Sequence, residues 1–104
     1  MNIHKIKIAK EFSKEPFGRY PEDGKSNGTK FREDFLIKSL EKYEVIEINF
    51  DDAEGYGSSF LDEAFGGLVR HHKFKAKELK NRLILISTDD PSIVDEVWGY
   101  IDGK

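Results

Sequence analysis

Between Val45 and Val69 the chain sets a short apolar run against a helical stripe, and this pairing limits the fold more than any other feature. Val45, Ile46, Ile48 and Phe50 form a run bounded by charges, which suits a buried central strand better than a half-exposed one. Asp51 and Asp52 end it. After the loop 53–57, the pairs Phe60-Leu61, Ala64-Phe65 and Leu68-Val69 recur every four residues and lay one wide apolar stripe along a helix, with Asp62 and Glu63 expected to face away. Gly66 and Gly67 each cost about 1 kcal/mol against alanine inside a helix. Close packing on the sheet is the expected compensation.

The flanking segments repeat the theme. Ile3, Ile6 and Ile8 alternate with His4, Lys5 and Lys7 as in a lysine-bearing edge strand. Turn residues fill the stretch from Pro16 to Gly28 and admit at most a short strand at Phe17–Tyr20. Thr29 reads as the N-cap of a helix carrying Phe31, Phe35, Leu36 and Leu40 to about Lys42. Lys73–Leu79 reads as a short helical turn and Leu83–Ile86 as a second buried-type strand. Asp90 and Pro91 open a last helix with Ile93, Val94, Val97, Trp98 and Ile101. The alternation predicts one α/β domain over residues 1–104, a layered fold with a mixed central sheet and helical crossovers.

Composition removes several function classes. A chain of 104 residues is the size of one domain, and its net charge of -3 with a pI near 5.6 offers no broad basic field for nucleic acid or anionic lipid. With no cysteine it has no disulfide, thiolate metal site or cysteine nucleophile. Residues 1–10 lack the apolar core of a signal peptide, and no run reaches the ~18 apolar residues of a membrane span. A cytoplasmic location is the expectation that remains.

The sharpest candidate site is Glu54-Gly55-Tyr56-Gly57-Ser58-Ser59-Phe60, a glycine-rich turn from a strand end into a helix start. A phosphate on Ser58 or Ser59 would meet free backbone N–H groups and the positive end of the helix dipole, although Asp62 and Glu63 within one turn would oppose it. A purely local reading has Ser59 capping the helix in a capping-box-like Ser59-x-x-Asp62 pattern.

Strand Val45–Phe50, then Gly57-Ser58-Ser59 and an apolar helix, resembles the sulfate-transporter and anti-sigma-factor-antagonist (STAS) fold. A STAS-like family of unknown function is more similar still, through the segments Gly18–Gly24, Thr29–Arg32 and Gly55–Leu68, and the resemblance runs from about Phe17 to Ile101. It implies a bacterial regulatory protein that binds an anti-sigma kinase of the histidine-kinase-like ATPase type and is switched off by phosphorylation of the serine at the matching helix start, here Ser58 with Ser59 beside it. Tyr56, Gly57, Ser58, Ser59, Phe60, Asp62 and Glu63 are then the expected partner-binding residues. Two positions depart from the antagonist pattern: Gly57 stands where an aspartate usually precedes the serine, and Phe60 where a glycine usually follows.

Other chemistry is weaker. Arg19, Lys25, Lys30 and Arg32 could gather near the glycine-rich turn as an anion-binding patch, which keeps a small-ligand or nucleotide sensor as the alternative. Gly24-Lys25-Ser26 echoes the end of a phosphate-binding loop, but Gly18 lies one residue too far upstream and no apolar strand leads in. Ser58 lacks the glycine spacing of a nucleophile elbow. His71-His72 reads as a cationic helix end, and Asp51, Asp52 and Glu54 as a solvated loop. No nucleophile-base pair, metal set or cofactor fingerprint emerges, so a non-enzymatic interaction module without a cofactor is expected.

Overall fold

The computed structural model describes residues 2–104. Strand β1 (Ile3–Lys7) runs into a single helical turn, α1 (Ile8–Glu11), and then into a long loop interrupted only by a 3-10 turn at Pro21–Asp23. Helix α2 spans 28–42, with a π-helical middle at Arg32–Ile37. Strand β2 (Val45–Asn49) leads to helix α3 at 58–72, again π-helical in its middle at Asp62–Gly66. Helix α4 (Ala76–Arg82), strand β3 (Leu83–Ile86) and helix α5 (Ser92–Ile101) complete the chain.

The three strands form a parallel sheet in the order β1-β2-β3, with Ile3 opposite Val45 and Ile46 opposite Leu83. Successive parallel strands joined by right-handed crossovers place both connecting helices on one face. The burial agrees: Ile6, Ile8, Ile46, Ile48, Phe50 and Leu83 are buried together with Phe31, Leu36, Phe60, Phe65 and Leu68 of the helices. The α/β class and helical crossovers are as expected. The sheet is parallel throughout rather than mixed, because Phe17–Tyr20 forms no strand: its backbone is drawn instead into loop hydrogen bonds, Phe17 N–H to Ser26 O and Gly28 N–H to Gly18 O. The opposite sheet face carries Ile3, Lys5, Glu47 and Ile84 and, among the described residues, no helix, so β2 is central but half-exposed at Glu47.

Helix starts moved by a residue or two. Asn27, not Thr29, caps α2, its side chain accepting the Lys30 N–H at 2.9 Å. Helix α3 begins at Ser58 after Gly57, so Ser59 lies inside the first turn and makes no capping box. At α5 the N-cap position falls on Pro91 rather than Asp90 and the helix begins at Ser92, although the Asp90 carboxylate still accepts the Ser92 N–H at 3.2 Å. The short helix expected at Lys73–Leu79 lies at Ala76–Arg82, delayed by Lys73, whose left-handed backbone (φ 63) ends α3.

The glycine pair in α3 is explained by neighbouring helices rather than by the sheet. A Cβ on Gly66 would lie 2.7 Å from the Asp62 and Arg70 side chains, which can give way, and 3.2 Å from the Tyr100 carbonyl of α5, and one on Gly67 would collide with the Arg32 guanidinium of α2. Gly28 supplies the matching gap on α2, where a Cβ would meet the Phe60 carbonyl at 2.8 Å and Glu63 Cβ at 2.9 Å. Gly99 in α5 has open space at the same position. Gly99→Ala is therefore expected to raise stability by up to about 1 kcal/mol, whereas Gly28→Ala lowers it by about 1–3 kcal/mol as the helices are forced apart. Urea midpoints of the two variants check this contrast.

Candidate functional site

The loops at the carboxyl ends of the strands, where open parallel sheets usually place their sites, meet at the start of α3. Ser58 is exposed and Ser59 half-buried there, and no side chain caps the first turn. Phe17 stands over this turn with 65% of its surface exposed, and a Cβ on Gly57 would lie 3.7 Å from its ring. Phe17, Gly18, Arg19, Asp23, Gly57, Ser58 and Ser59 line an open cleft of about 320 Å³. Tyr20, three residues on in the same loop, is 48% exposed.

The Phe17 loop is held by polar contacts at both ends. Asp23 Oδ2 accepts the N–H groups of Arg19 (3.0 Å) and Tyr20 (3.1 Å), and the Arg19 carbonyl accepts both the N–H and the hydroxyl of Thr29. Gly18 takes a positive φ of 85° with Asp23 packed where a Cβ would stand, so only glycine suits the bend. The Arg19 guanidinium donates to Asp62 at 2.9 Å, which ties the loop to α3.

Beneath the cleft lies a charged seam between α2 and α3. Arg32 and Glu63, expected on the surface, are both buried and pair at 2.9 Å. Arg32 also donates to the Glu63 carbonyl and to Glu33, and Glu33 meets His72 at 2.5 Å. Arg19, Arg70 and His71 stand 3.5–3.8 Å from Glu63, and Arg70 donates to Asp62 at 2.9 Å. Every buried side-chain nitrogen and oxygen among the described residues has a partner.

The surroundings fix the direction of each titration. Partial burial works to raise the Asp62 carboxyl, but hydrogen bonds from Arg19 and Arg70 outweigh it and hold the group below the usual carboxylate range. Glu33 behaves alike: burial raises it, and hydrogen bonds from His72 and Arg32 bring it lower. Burial, with the Asp51 charge second, pushes the Tyr56 phenol up, and its O–H donates to the Phe50 carbonyl at 2.8 Å.

The expected site residues thus divide. Gly57, Ser58 and Ser59 share the cleft with Arg19. Phe60 is fully buried against Phe12, Phe31 and Tyr56, and Glu63 is in the seam, so neither presents its side chain to a partner. Asp62 is half-buried between two arginines. The four cations do not gather: Arg32 is buried on Glu63, Arg19 is paired, and Lys25 and Lys30 border a separate hollow with Glu33 and Asp34. Gly24-Lys25-Ser26 follows the 3-10 turn rather than a strand. Asp51 accepts the N–H groups of Thr88 and Asp89, and Asp52 pairs with Lys7. Reading the sequence missed Phe17 and Tyr20 as surface features. The one signal for Phe17 was a large aromatic between Pro16 and Gly18 in a stretch with no helical or strand period.

A parallel sheet with helices on one face and a serine-bearing helix start at its carboxyl end defines an α/β domain of STAS-like architecture. A family model described as a STAS-like domain of unknown function (DUF4325) matches residues 27–92, and the chain belongs to that family. The match takes in α2 to β3 with Gly28, Arg32, Ser58, Glu63 and Gly67, and is narrower than the expected span from Phe17 to Ile101. No curated protein and no solved structure matches the chain. No helix among the described residues is long and apolar enough to cross a membrane.

Two outcomes test the seam. Arg32→Met strands a buried carboxylate and is expected to cost about 3–5 kcal/mol, while adding Glu63→Met recovers most of that loss; chemical denaturation of the single and double variants measures both. Because the Asp62 and Glu33 carboxyls are depressed in the folded state, their contribution is complete above the unfolded carboxylate pKa of about 4 and is lost as pH falls through the folded values. Asp62→Asn is expected to flatten the fall in stability on the acid side of pH 4, read from thermal midpoints across an acid pH series.

Proposed function

We propose that this chain is a regulatory protein-interaction module that binds its partner through the cleft between Phe17 and the start of α3, and that the partner is a histidine-kinase-like ATPase of the anti-sigma type. The exposure of Phe17 directly beside Ser58 carries the reading. A large aromatic held in water over a rigid helix start has the character of an interface anchor. Membership in a STAS-like family supports the kind of partner.

Phosphorylation of Ser58 is the proposed switch. The backbone N–H groups of the first turn have no side-chain acceptor, so a phosphate finds donors and the positive dipole end together. The objection from nearby carboxylates weakens, because Asp62 is paired with Arg19 and Arg70 and Glu63 with Arg32. A phosphoryl group there would add charge and bulk beside Phe17, where the partner is to dock. The ligand-sensor alternative draws less support, since the two arginines nearest the cleft and the seam are already neutralised.

The test is retention of an ATPase from the source cell on immobilised chain, with ATP present and absent. Phe17→Ala is expected to weaken binding about 30-fold, equivalent to about 2 kcal/mol, with an unchanged unfolding midpoint. Ser58→Asp is expected to release the partner, and Ser58→Ala to retain it while losing any phosphoryl mass increment. Retention unaffected by Phe17→Ala would refute the cleft as the interface.

A further inference from the structure

The free edge of β3 is built unlike the free edge of β1. Strand β1 carries Lys5 and Lys7 on the open face beside Ile3, which is 45% exposed, so two of its three side chains there are charged. Strand β3 is Leu83-Ile84-Leu85-Ile86, with no charged residue, and no strand pairs on its far side among the described residues. On the open sheet face the rows read Lys5, Glu47, Ile84 and Lys7, Asn49, Ile86 from β1 to β3. Ile3 of β1 is exposed as well, but only at β3 is every side chain on the open face apolar, with Ile84 42% exposed. Parallel sheets seldom leave one face bare, and unguarded edges are templates for another strand.

The backbone sets which groups are offered. Phe50 N–H donates to the Ile86 carbonyl, so Ile84 and Ile86 direct their backbone groups toward β2. Leu83, Leu85 and Ser87 direct theirs outward. The Leu83 N–H already donates to the Leu79 carbonyl, which leaves the Leu83 carbonyl, both groups of Leu85 and the Ser87 N–H.

We propose that β3 pairs antiparallel with β3 of a second copy of this chain, about a two-fold axis at Leu85, joining the two sheets into one of six strands. In this register Leu85 of each copy donates to and accepts from Leu85 of the other, and the Ser87 N–H of each donates to the Leu83 carbonyl of the other. Ile84 of one copy stands across from Ile86 of the other, so four isoleucines form one patch at the centre of the open face. The charges agree with the antiparallel sense. Lys75, Lys77, Lys80 and Arg82 against Glu78 make the chain entering β3 basic, and Asp89 and Asp90 make the turn leaving it acidic. A two-fold axis sets the basic end of each copy beside the acidic end of the other, an isologous contact that closes on itself.

Sedimentation velocity of the full chain over a wide concentration range tests this. The natural chain is expected to dimerise, and Ile84→Lys or Ile86→Glu alone to give monomers whose unfolding midpoints, measured at high dilution, stay near that of the natural chain. The double variant Ile84→Lys with Ile86→Glu places each lysine across from a glutamate of the other copy, so it regains the dimer at low salt and loses it at high salt. A natural chain that stays monomeric throughout overturns the proposal and leaves the edge for a strand of another protein. A dimer indifferent to Ile84→Lys, or singles that dissociate while the double variant stays monomeric at low salt, overturns the pairing as described.

Discussion

The close approach of the two long helices is organised around one contact that a folded domain seldom makes, a buried arginine against a buried glutamate. Arg32 and Glu63 are each almost wholly removed from water. Isolated in the interior, either charge would be costly, so each is retained only because the other and its hydrogen bonds are present. The space for them comes from residues with no side chain. Gly28 brings α2 onto α3, and Gly67 leaves the hollow that the guanidinium fills. The π-helical segments begin at Arg32 in one helix and at Asp62, next to Glu63, in the other, so both widened turns carry a member of the pair.

The seam also organises the surface above it. Asp62, one residue from Glu63, binds Arg19 and so anchors the loop that carries Phe17. Thr29, one turn before Arg32, holds the same loop through the Arg19 carbonyl. At the other end of α2, Arg82 donates to the carbonyls of Leu40, Tyr43 and Glu44, fixing the helix terminus against the chain that enters β3. Arginine side chains thus lock both long helices, and the cleft at Ser58 is placed by the same contacts that stabilise the core.

Much of the fold was legible because apolar runs and helical stripes record which residues meet the core. Leu83–Ile86 is a strand over the expected residues, although it lies at the sheet edge with Ile84 exposed rather than buried, and the last helix starts at Ser92 behind Pro91. What was not legible involves pairs distant in sequence. Glu63 read as solvent-facing because glutamate beside an apolar stripe usually is, and nothing local shows that Arg32 lies opposite. Its fourth neighbour Gly67 was the available clue, since a glycine in mid-helix signals close approach without naming what approaches. The cap of α3 failed for a smaller reason: a strand-to-helix turn at Gly57 lets the helix start one residue before the serine that resembled a cap. The candidate site was half legible, through Gly57-Ser58-Ser59, while Phe17 joined it only through folding of a loop that has no period.

One sheet face and one end of the sheet remain available for contact, and the central claim is that the end, beside Ser58, receives the regulatory partner. Hydrogen–deuterium exchange of the full chain, alone and with the ATPase proposed as its partner, tests this most directly. The account predicts new protection at the amides of Phe17 to Tyr20 and Gly57 to Ser59, with α5 unchanged. Protection confined to α5 or to the open sheet face, with those amides exchanging as in the free chain, would contradict it.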